Sequence, residues 1–495
     1  MKKDILLFMS DQHSYELQGY AGNPLVRTEM LDRLAANGAV MSNAMTACPL
    51  CVPARAAMIS GLLPSNNGVL FNFGAIDSNQ ATFLHSLNAS GYDTVLCGRM
   101  HFVGPDQRHG YNKRIAGDRT PVFHNAVPRE QSAREGGQGV RGYDENASVY
   151  YMGPGDSPVL AYDRYVVQRA LKYLAEDHDR PQFLTVGVYG PHFPYVAPDG
   201  LYQYYYDKVP VEEQKTAWEH PALEGKLCDT DPDVLRAARA AYYGLVETTD
   251  RNVETVYNAF QDYLKRTGHE GVFIYVSDHG DMNGSRGYYG KQVFYDPSVH
   301  IPFLIVGDGI PKGVRINNPV SLLDVGPTIC AIAEAEVLPG DGKNLLPQIY
   351  SGSQELDRAV ISEQYTYLSR GGSSLGRMVR WDRWKFITYS GFEGQDILFD
   401  CVNDPEERVN VIDEHPDVAR FLLEKTRACK DAAAVMEHEH WMNRQLKILM
   451  QCSYDDTQER WTCPDVEVLE KPVQRKEPFR PVAWVTEMKK QIREA

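Results

Sequence analysis

Short apolar runs alternate along the chain with stretches of helical periodicity. Each apolar run is followed by polar residues, which is typical of strands that are buried on both faces of a sheet. The runs are Ile5–Met9, Thr94–Cys97, Phe183–Val188, Val272–Val276 and Ile301–Val306. The helical patterns lie at Glu29–Asn37, Ala54–Ser60, Tyr162–Glu176 and from Asp233 to about Arg266. This alternation predicts an α/β fold in which helices flank a doubly wound, mostly parallel sheet.

The pattern changes after about residue 365. The later elements are strands at Arg377–Tyr389 and Asp396–Asp400 and a helix near Pro416–Val435. They predict a smaller C-terminal α+β domain with a short antiparallel sheet, at 366–450, which follows the α/β domain at 1–365. Residues 451–495 are rich in charge and proline and predict an extended arm. Such an arm would cover the surface or join the chain to a second copy in a homo-oligomer.

Composition narrows the class of partner. The 495 residues carry a net charge of −15, which argues against binding to nucleic acid or to an anionic membrane. An anionic substrate would therefore need a locally positive site. The apolar run Ile5–Met9 is too short for a signal peptide and predicts a buried strand. Nine scattered cysteines do not form a disulfide framework, so we expect a cytoplasmic protein.

Acidic residues follow two of the predicted strands at the point where each strand ends. Asp11 and Gln12 follow the first run, and Asp278 and His279 follow the fourth. Ligands of doubly wound sheets bind beyond the carboxyl ends of the strands. Two carboxylates and an amide oxygen suit Ca²⁺, Mg²⁺ or Mn²⁺. Asp11 alone would be explained as a helix cap, but Asp11 together with the Asp278 run favours a metal site, with Asp281 as a turn residue or a group behind the ligands.

A five-residue frame begins at Cys51, with proline at +2 and Arg55 at +4. The helix-prone residues that follow, and the stop at Gly61, place a modifiable side chain at a helix N-terminus with a guanidinium one turn further on. That arrangement suits an anion. Cys51 has two alternative interpretations. It could form a redox pair with Cys48, which has the right spacing although no thioredoxin-like order of elements surrounds it, or it could be a buried thiol.

Basic residues and histidines follow other apolar runs. Arg99 and His101 come after the second run, His192 lies between two prolines after the third, and Lys291 follows the second acidic motif. A histidine on a stiff loop suits a general acid or a hydrogen-bond donor. The alternatives are a loop histidine bound to a backbone carbonyl and solvated surface cations. The histidines of 437–440 would diverge on a helix and predict a solvated stretch.

Together these residues resemble the type I sulfatases of the alkaline phosphatase superfamily, over most of the chain. The positions that match the family's metal ligands are Asp11, Gln12, Asp278 and His279, with Cys51 as a further ligand. Those that match its catalytic groups are Cys51, Arg55, Arg99, His101, His192 and Lys291. Those that match its substrate contacts are Asn72, Arg99, His192 and Lys291. The resemblance implies Ca²⁺, with Mn²⁺ or Mg²⁺ as alternatives, and a maturation enzyme that oxidises Cys51 to formylglycine.

The resemblance also implies a reaction. One hydroxyl of hydrated formylglycine attacks the sulfur of a small anionic sulfate ester, and the cation and basic residues stabilise the sulfate oxygens. His192 and Lys291 assist departure of the alcohol. His101 then takes the proton of the second hydroxyl, which expels sulfate. The segment 98–110 is similar to choline sulfatases, which suggests a small organic sulfate.

Three departures from the family pattern bear on these expectations. Val52 and Ala54 stand where Thr or Ser is common, and Arg99 stands where lysine is usual. Gln12 stands where many sulfatases have a second aspartate. An Asp-Gln pair also occurs in the related phosphonate monoester hydrolases. The alternatives are therefore a phosphonate monoester or phosphodiester hydrolase on the same scaffold, and a non-catalytic protein that binds a metal or an anion.

Overall fold

The central sheet of the protein has eight strands. This computed structural model describes residues 2–120, 152–212, 219–226, 231–449 and 451. The first twelve strands are β1 (Asp4–Asp11), β2 (Ala39–Met41), β3 (Ala44–Met45), β4 (Asp93–Gly98), β5 (Lys113–Ala116), β6 (Met152–Pro154), β7 (Gln182–Pro191), β8 (Tyr195–Ala197), β9 (Gly271–Ser277), β10 (Phe303–Gly307), β11 (Val314–Ile316) and β12 (Val320–Ser321). The eight-stranded sheet has the order β11-β2-β10-β9-β1-β7-β4-β5. Within it, β10 runs opposite to the other strands. The predicted doubly wound, mostly parallel sheet is confirmed.

Helices cover both faces of this sheet. The first ten are α1 (Glu29–Asn37), α2 (Cys51–Ser60), α3 (Pro64–Asn67), α4 (Phe83–Ala89), α5 (Pro158–Leu174), α6 (Asp199–Tyr206), α7 (Pro232–Thr267), α8 (Asp296–Val299), α9 (Val325–Ile332) and α10 (Leu346–Ser351). Alternate side chains of β1 pack on opposite faces of the sheet. Leu7 joins the core with α2, α4 and α9, whereas Phe8 joins the core with α1, α5 and α7. Because both faces are covered, β1 is buried along its whole length.

A four-stranded antiparallel sheet follows. Its strands, in the order in which they pair, are β13 (Ala359–Tyr367), β14 (Ser373–Trp381), β15 (Trp384–Tyr389) and β16 (Ile397–Asp400). The single strand predicted at 377–389 is wrong, because a tight turn at Asp382, with φ of 48°, divides it into β14 and β15. The helix predicted at 416–435 is likewise two helices, α11 (Pro416–Thr426) and α12 (Ala432–Leu449). Both helices contact β14.

The C-terminal sheet is joined to the larger part of the chain by buried charge. The ammonium of Lys385 on β15, which is fully buried, is paired with Asp296 on α8 and with Glu407. Glu363 on β13 accepts a hydrogen bond from the backbone N–H of Ser65 on α3 at 2.9 Å. β13 crosses the boundary expected between residues 365 and 366, and the division of the chain into domains remains a prediction.

The remaining predictions of organisation concern the membrane and the C-terminal arm. Among the described residues, no helix combines the length and the apolar character needed to cross a bilayer. The predicted arm lies outside the described residues from 452 onward. Its role in a homo-oligomer remains a prediction.

Candidate active site

Helix α2 places Cys51 at its first residue. Leu50 is extended, with φ of −157° and ψ of 134°, so the helix begins directly at Cys51. The proline at the third position is tolerated because the first turn has no intrahelical partner for its N–H groups. Asn72 Oδ1 accepts the N–H of Val52 at 3.0 Å and so supplies one missing partner. Gly61, with φ of 70°, ends the helix, and all ten residues of α2 are buried.

Four potential ligands surround one point beyond the ends of β1 and β9. The two strands are parallel neighbours with Ser10 opposite Ser277, so Asp11 and Asp278 emerge side by side. Ligand atoms of Asp11, Cys51, Asp278 and His279 all lie within 4.8 Å of one another, and all four residues are buried. Cys51 Sγ is 3.2 Å from His279 Nε2 and 3.7 Å from Asp11 Oδ1. Two carboxylates and an imidazole, buried together, fit a divalent cation.

Two buried arginines neutralise these carboxylates. Arg55 donates to Asp278 Oδ2 at 2.8 Å and to Asp11 Oδ2 at 3.1 Å, and Arg99 Nε donates to the same Asp11 oxygen at 2.6 Å. Burial by itself raises the pKa of Asp11, but the neighbouring cations, Arg99 first, hold it well below its ordinary value. With Lys291, three basic side chains therefore lie beside these two carboxylates.

Lys291 connects the cation site to the loop that follows β7. Its ammonium is 2.5 Å from Gln12 Oε1, 3.2 Å from Cys51 Sγ and 2.9 Å from His192 Nε2. The other ring nitrogen of His192 is 2.7 Å from the carbonyl oxygen of Phe193. Burial, followed by the charge of Lys291, lowers the pKa of His192 well below its ordinary value. His192 is therefore a neutral imidazole in this arrangement.

Arg99 also links the acidic cluster to His101. Its Nη2 is 2.9 Å from His101 Nδ1, and its guanidinium lies 3.9 Å from the centre of the Tyr189 ring. Asp118 accepts from Arg99 Nη1 at 3.4 Å and from the backbone N–H of His101 at 2.9 Å. The β4 backbone approaches β7 so closely that a Cβ on Gly187 would lie 2.0 Å from the carbonyl oxygen of Arg99. Glycine is therefore needed there to seat Arg99.

The structure brings together all of the predicted side chains except that of Asn72, whose contact is with the helix backbone. Asn72 caps α2 beside Cys51, and its role as a substrate contact remains a prediction. Asp118 and Tyr189 were not predicted from the sequence, because neither has a motif around it. Asp118 follows the short edge strand β5 in an irregular loop, and Tyr189 belongs to an apolar strand. The only signal for them was the general rule that strand ends carry function.

The surroundings of Cys51 disfavour the thiolate form of its side chain. Burial, followed by the negative charge of Asp11, raises its pKa to about 12. Burial also raises the pKa of Cys48 well above its ordinary value, and both cysteines are unpaired. A nucleophilic or redox cysteine needs thiolate character, which neither residue has in this environment. The site is thus arranged around Cys51 without using it as a free thiolate.

Comparison with known proteins gives matches over most of the chain. Residues 3–335 match the family model described as sulfatase, and residues 284–429 match the model for the C-terminal part of N-sulphoglucosamine sulphohydrolase. The chain is 31% identical to the choline-sulfatase of Rhizobium meliloti (strain 1021), over 83% of this chain and 82% of the relative. It is 26% identical to arylsulfatase K of Mus musculus, over 90% of this chain and 82% of the relative.

Solved structures share the fold. The phosphonate monoester hydrolase of Agrobacterium radiobacter has a TM-score of 0.68 at 20% identity, and the match covers 96% of this chain and all of that one. A 2-O GAG sulfatase has a TM-score of 0.65 at 22% identity, over 87% of this chain and 93% of that one. At these identities the likeness shows the fold alone.

The buried group beside Cys51 could hold a divalent cation, and the family match identifies the class of protein. The chain belongs to the sulfatase family. It is a sulfuric ester hydrolase, as the resemblance in the sequence implied. Membership implies, for the family in general, a divalent metal and a formylglycine, and the group of Asp11, Cys51, Asp278 and His279 fits both.

Proposed function

We propose that this sulfatase hydrolyses a small organic sulfate monoester through a formylglycine formed from Cys51. The observation that carries the proposal is the position of Cys51 Sγ, 3.2 Å from both His279 Nε2 and Lys291 Nζ. A side chain at that point touches the potential cation ligands on one side and the ammonium on the other. Because the unmodified thiol has a pKa raised to about 12 by burial, oxidation of the residue supplies the missing reactivity.

The resident cation in this proposal is Ca²⁺, with Mn²⁺ or Mg²⁺ as the alternatives. Asp11, Gln12, Asp278 and His279 would hold it, together with residue 51. Oxygen donors dominate this set, which supports a hard cation. When bound, the cation supplies positive charge next to the sulfate oxygens and to the hydroxyls of residue 51. Elemental analysis of the purified protein identifies the ion, and a content of less than one divalent ion per chain would contradict the proposal.

The chain's own residues would orient the ester and move protons. Formylglycine supplies a geminal diol, with one hydroxyl for attack on sulfur and one for release of sulfate. Arg55, Arg99 and Lys291 would stabilise the negative charge of the sulfate oxygens. Lys291 would pass a proton to the departing alkoxide, with His192 as the group that accepts its hydrogen bond.

His101 would accept the proton of the second hydroxyl. In the resting arrangement the N–H of Arg99 engages Nδ1 of His101 at 2.9 Å, so the neutral ring carries its proton on Nε2. A ring in that tautomer has no free lone pair at Nε2. The role therefore requires Arg99 to leave Nδ1 when it turns toward the bound sulfate. This coupling would delay the second proton transfer until the sulfate is in place.

The substrate class in this proposal is a small organic sulfate. The 31% identity to a choline-sulfatase supports it, as does the local similarity at 98–110. The alternative, a phosphonate monoester hydrolase, is favoured by Gln12 beside Asp11. Turnover should be measured on choline sulfate and on matched phenyl sulfate and phenylphosphonate monoesters. We expect the larger kcat/KM on the sulfates, and a preference for the phosphonate would overturn the assignment.

Mass spectrometry of the peptide that contains residue 51 tests the formylglycine. We expect loss of the sulfur in active protein, and full activity with an intact thiol would contradict the proposal. The Cys51→Ala variant should fold and lose turnover. Cys48→Ala is a matched control, because Cys48 is also buried but contributes no ligand to the cation group. It should retain turnover if the effect belongs to residue 51.

The cellular setting completes the proposal. We propose a cytoplasmic protein that a separate maturation enzyme oxidises at Cys51. The described cysteines Cys48, Cys51, Cys97, Cys330, Cys401 and Cys429 are unpaired, which supports a reducing compartment. Fractionation of the source cells tests the location. Recovery of the active protein outside the cytoplasm would contradict it.

A further inference from the structure

The side-chain amide of Gln12 is held from both sides. Its Nε2 donates to Asp281 Oδ2 at 2.6 Å, and its Oε1 accepts from Lys291 Nζ at 2.5 Å. The same ammonium lies 3.2 Å from Cys51 Sγ, so Oε1 is directed to the side of the cation group. The backbone of Gln12 has φ of 70°, a left-handed conformation that few non-glycine residues adopt.

Asp281 is itself fixed by the loop that carries it. Its Oδ1 accepts the backbone N–H of Asn283 at 2.7 Å and of Gly290 at 3.0 Å. The hydroxyl of Tyr195 lies 2.9 Å from both carboxylate oxygens. Asp281 is 1% exposed, so these contacts are shielded from water. Because Oδ1 is committed to the backbone, Oδ2 is the oxygen that faces Gln12.

We propose that Asp281 is a positioning residue that fixes the orientation of the Gln12 amide, so that its oxygen and not its NH₂ faces the cation. An ionised carboxylate only accepts hydrogen bonds, and the amide must therefore turn its NH₂ to Asp281. The opposite orientation would point N–H groups at the Lys291 ammonium and at the cation. The inference rests on the proposed function, because it assumes that a divalent cation is held there.

This arrangement explains how a neutral amide can serve at a position where an aspartate is common. A carboxylate offers an oxygen in either orientation, whereas an amide does so in only one of two. Removal of a residue that hydrogen-bonds to a metal ligand typically lowers metal affinity by about 10–100-fold. We expect an effect of about that size from Asp281, whose carboxylate does not belong to the group of close ligand atoms.

The Asp281→Asn variant replaces a hydrogen-bond acceptor by a donor at the atom that faces Gln12. Its Oδ1 remains on the backbone N–H groups, so Nδ2 takes the place of Oδ2 and meets Nε2 of Gln12, donor against donor. Gln12 should turn and lose its oxygen from the cation side. We expect Ca²⁺ affinity, measured by calorimetry on chelator-stripped protein, to fall about 10–100-fold. The Ca²⁺-induced rise in Tm should shrink with it.

The reciprocal exchange separates positioning from a merely structural role. In Gln12→Glu alone two carboxylate oxygens face each other with no N–H between them, so their repulsion should displace the side chain of residue 12 and Ca²⁺ affinity should also fall. In the double variant Gln12→Glu/Asp281→Asn, the amide of residue 281 donates to one oxygen of the new carboxylate at position 12 and leaves the other for the cation. We expect it to bind Ca²⁺ more tightly than either single variant. This rescue is not expected if Asp281 only supports its loop.

The outcomes are distinguishable. Asp281→Asn with wild-type Ca²⁺ affinity, or a double variant that binds no better than Gln12→Glu, would overturn the inference while the wild type still binds Ca²⁺ and hydrolyses sulfate esters. If the variants that carry Asp281→Asn do not fold, Gln12→Glu decides alone, and wild-type Ca²⁺ affinity in that variant would overturn the inference. A wild type that binds no divalent cation would instead overturn the proposed function.

Discussion

The ammonium of Lys291 lies 2.9 Å from Nε2 of His192, and Nδ1 of the same ring lies 2.7 Å from the carbonyl oxygen of Phe193. An ammonium can only donate a hydrogen bond and a carbonyl can only accept one. The ring of His192 therefore carries its proton on Nδ1 and accepts a hydrogen bond from Lys291 at Nε2. The transferable proton of the pair therefore belongs to Lys291. His192 orients it.

We expect Lys291→Met to lower kcat by about 10²–10⁴-fold, because departure of the alkoxide then lacks its proton donor. The loss should be greatest for alkyl sulfates and smallest for 4-nitrophenyl sulfate, whose leaving group needs no proton. Steady-state rates on aryl sulfates of graded phenol acidity measure this. Lys343→Met is the control, since Lys343 forms an exposed pair with Glu355. An equal loss on every ester would contradict the donor role.

Asp118→Asn should lower kcat/KM by about 10²-fold, because small displacements of catalytic groups have effects of this size. Asp118 Oδ1 accepts from Arg99 and Oδ2 accepts from the backbone of His101. An asparagine presents an NH₂ to one of these two donors and displaces it. Asp93→Asn on β4, whose carboxylate pairs with the exposed Lys113, is the matched control. Wild-type kinetics of Asp118→Asn would show that Arg99 and His101 are held without it.

Chelation should abolish activity and leave the protein folded. Asp11 and Asp278 are already paired with Arg55 and Arg99, so removal of a cation does not leave them as unpaired buried charges. We expect an unchanged far-ultraviolet circular dichroism spectrum, a lower Tm and recovery of turnover with Ca²⁺. Unfolding on chelation would contradict this account of the charge balance.

The contribution of Asp163 to the free energy of unfolding should fall as the pH rises. Burial raises the pKa of this carboxyl to about 7, although the N–H groups of Tyr189 and Gly190 oppose the shift. The folded state therefore binds a proton more tightly than the unfolded chain does. The stabilisation from that proton is complete below about pH 4 and is lost as the pH rises through about 7.

The Asp163→Asn variant removes this dependence. The difference in free energy of unfolding between wild type and variant should shift in favour of the variant between about pH 4 and 7, by at most about 1.4 kcal/mol per pH unit. Urea unfolding across this pH range measures it. Loss of one acceptor adds a constant offset, so only the slope is diagnostic, and parallel curves would contradict the prediction.

The sequence predicted those elements whose pattern is local. Five apolar runs identified central strands, and the residues at their ends converge because parallel strands end at one edge of the sheet. The small sheet was harder, since the turn at Asp382 lies inside a nearly continuous strand-like run and leaves no Gly or Pro signal. Asp118 and Tyr189 act on Arg99 from distant parts of the chain. No local pattern reports such contacts, because they depend on tertiary packing.

The buried pairing of Lys385 with Asp296 and Glu407 has a consequence for protein engineering. A shortened chain that ends ahead of the antiparallel sheet would lack the ammonium and leave Asp296 without its buried partner. It would also lack the carboxylate of Glu363, which accepts the backbone N–H of Ser65. Asp296 has 23% of its side chain accessible, so the truncation would remove a largely shielded ion pair from the larger part of the chain. The smaller sheet is therefore not a detachable module, and shortened or chimeric sulfatases based on this chain should carry it whole.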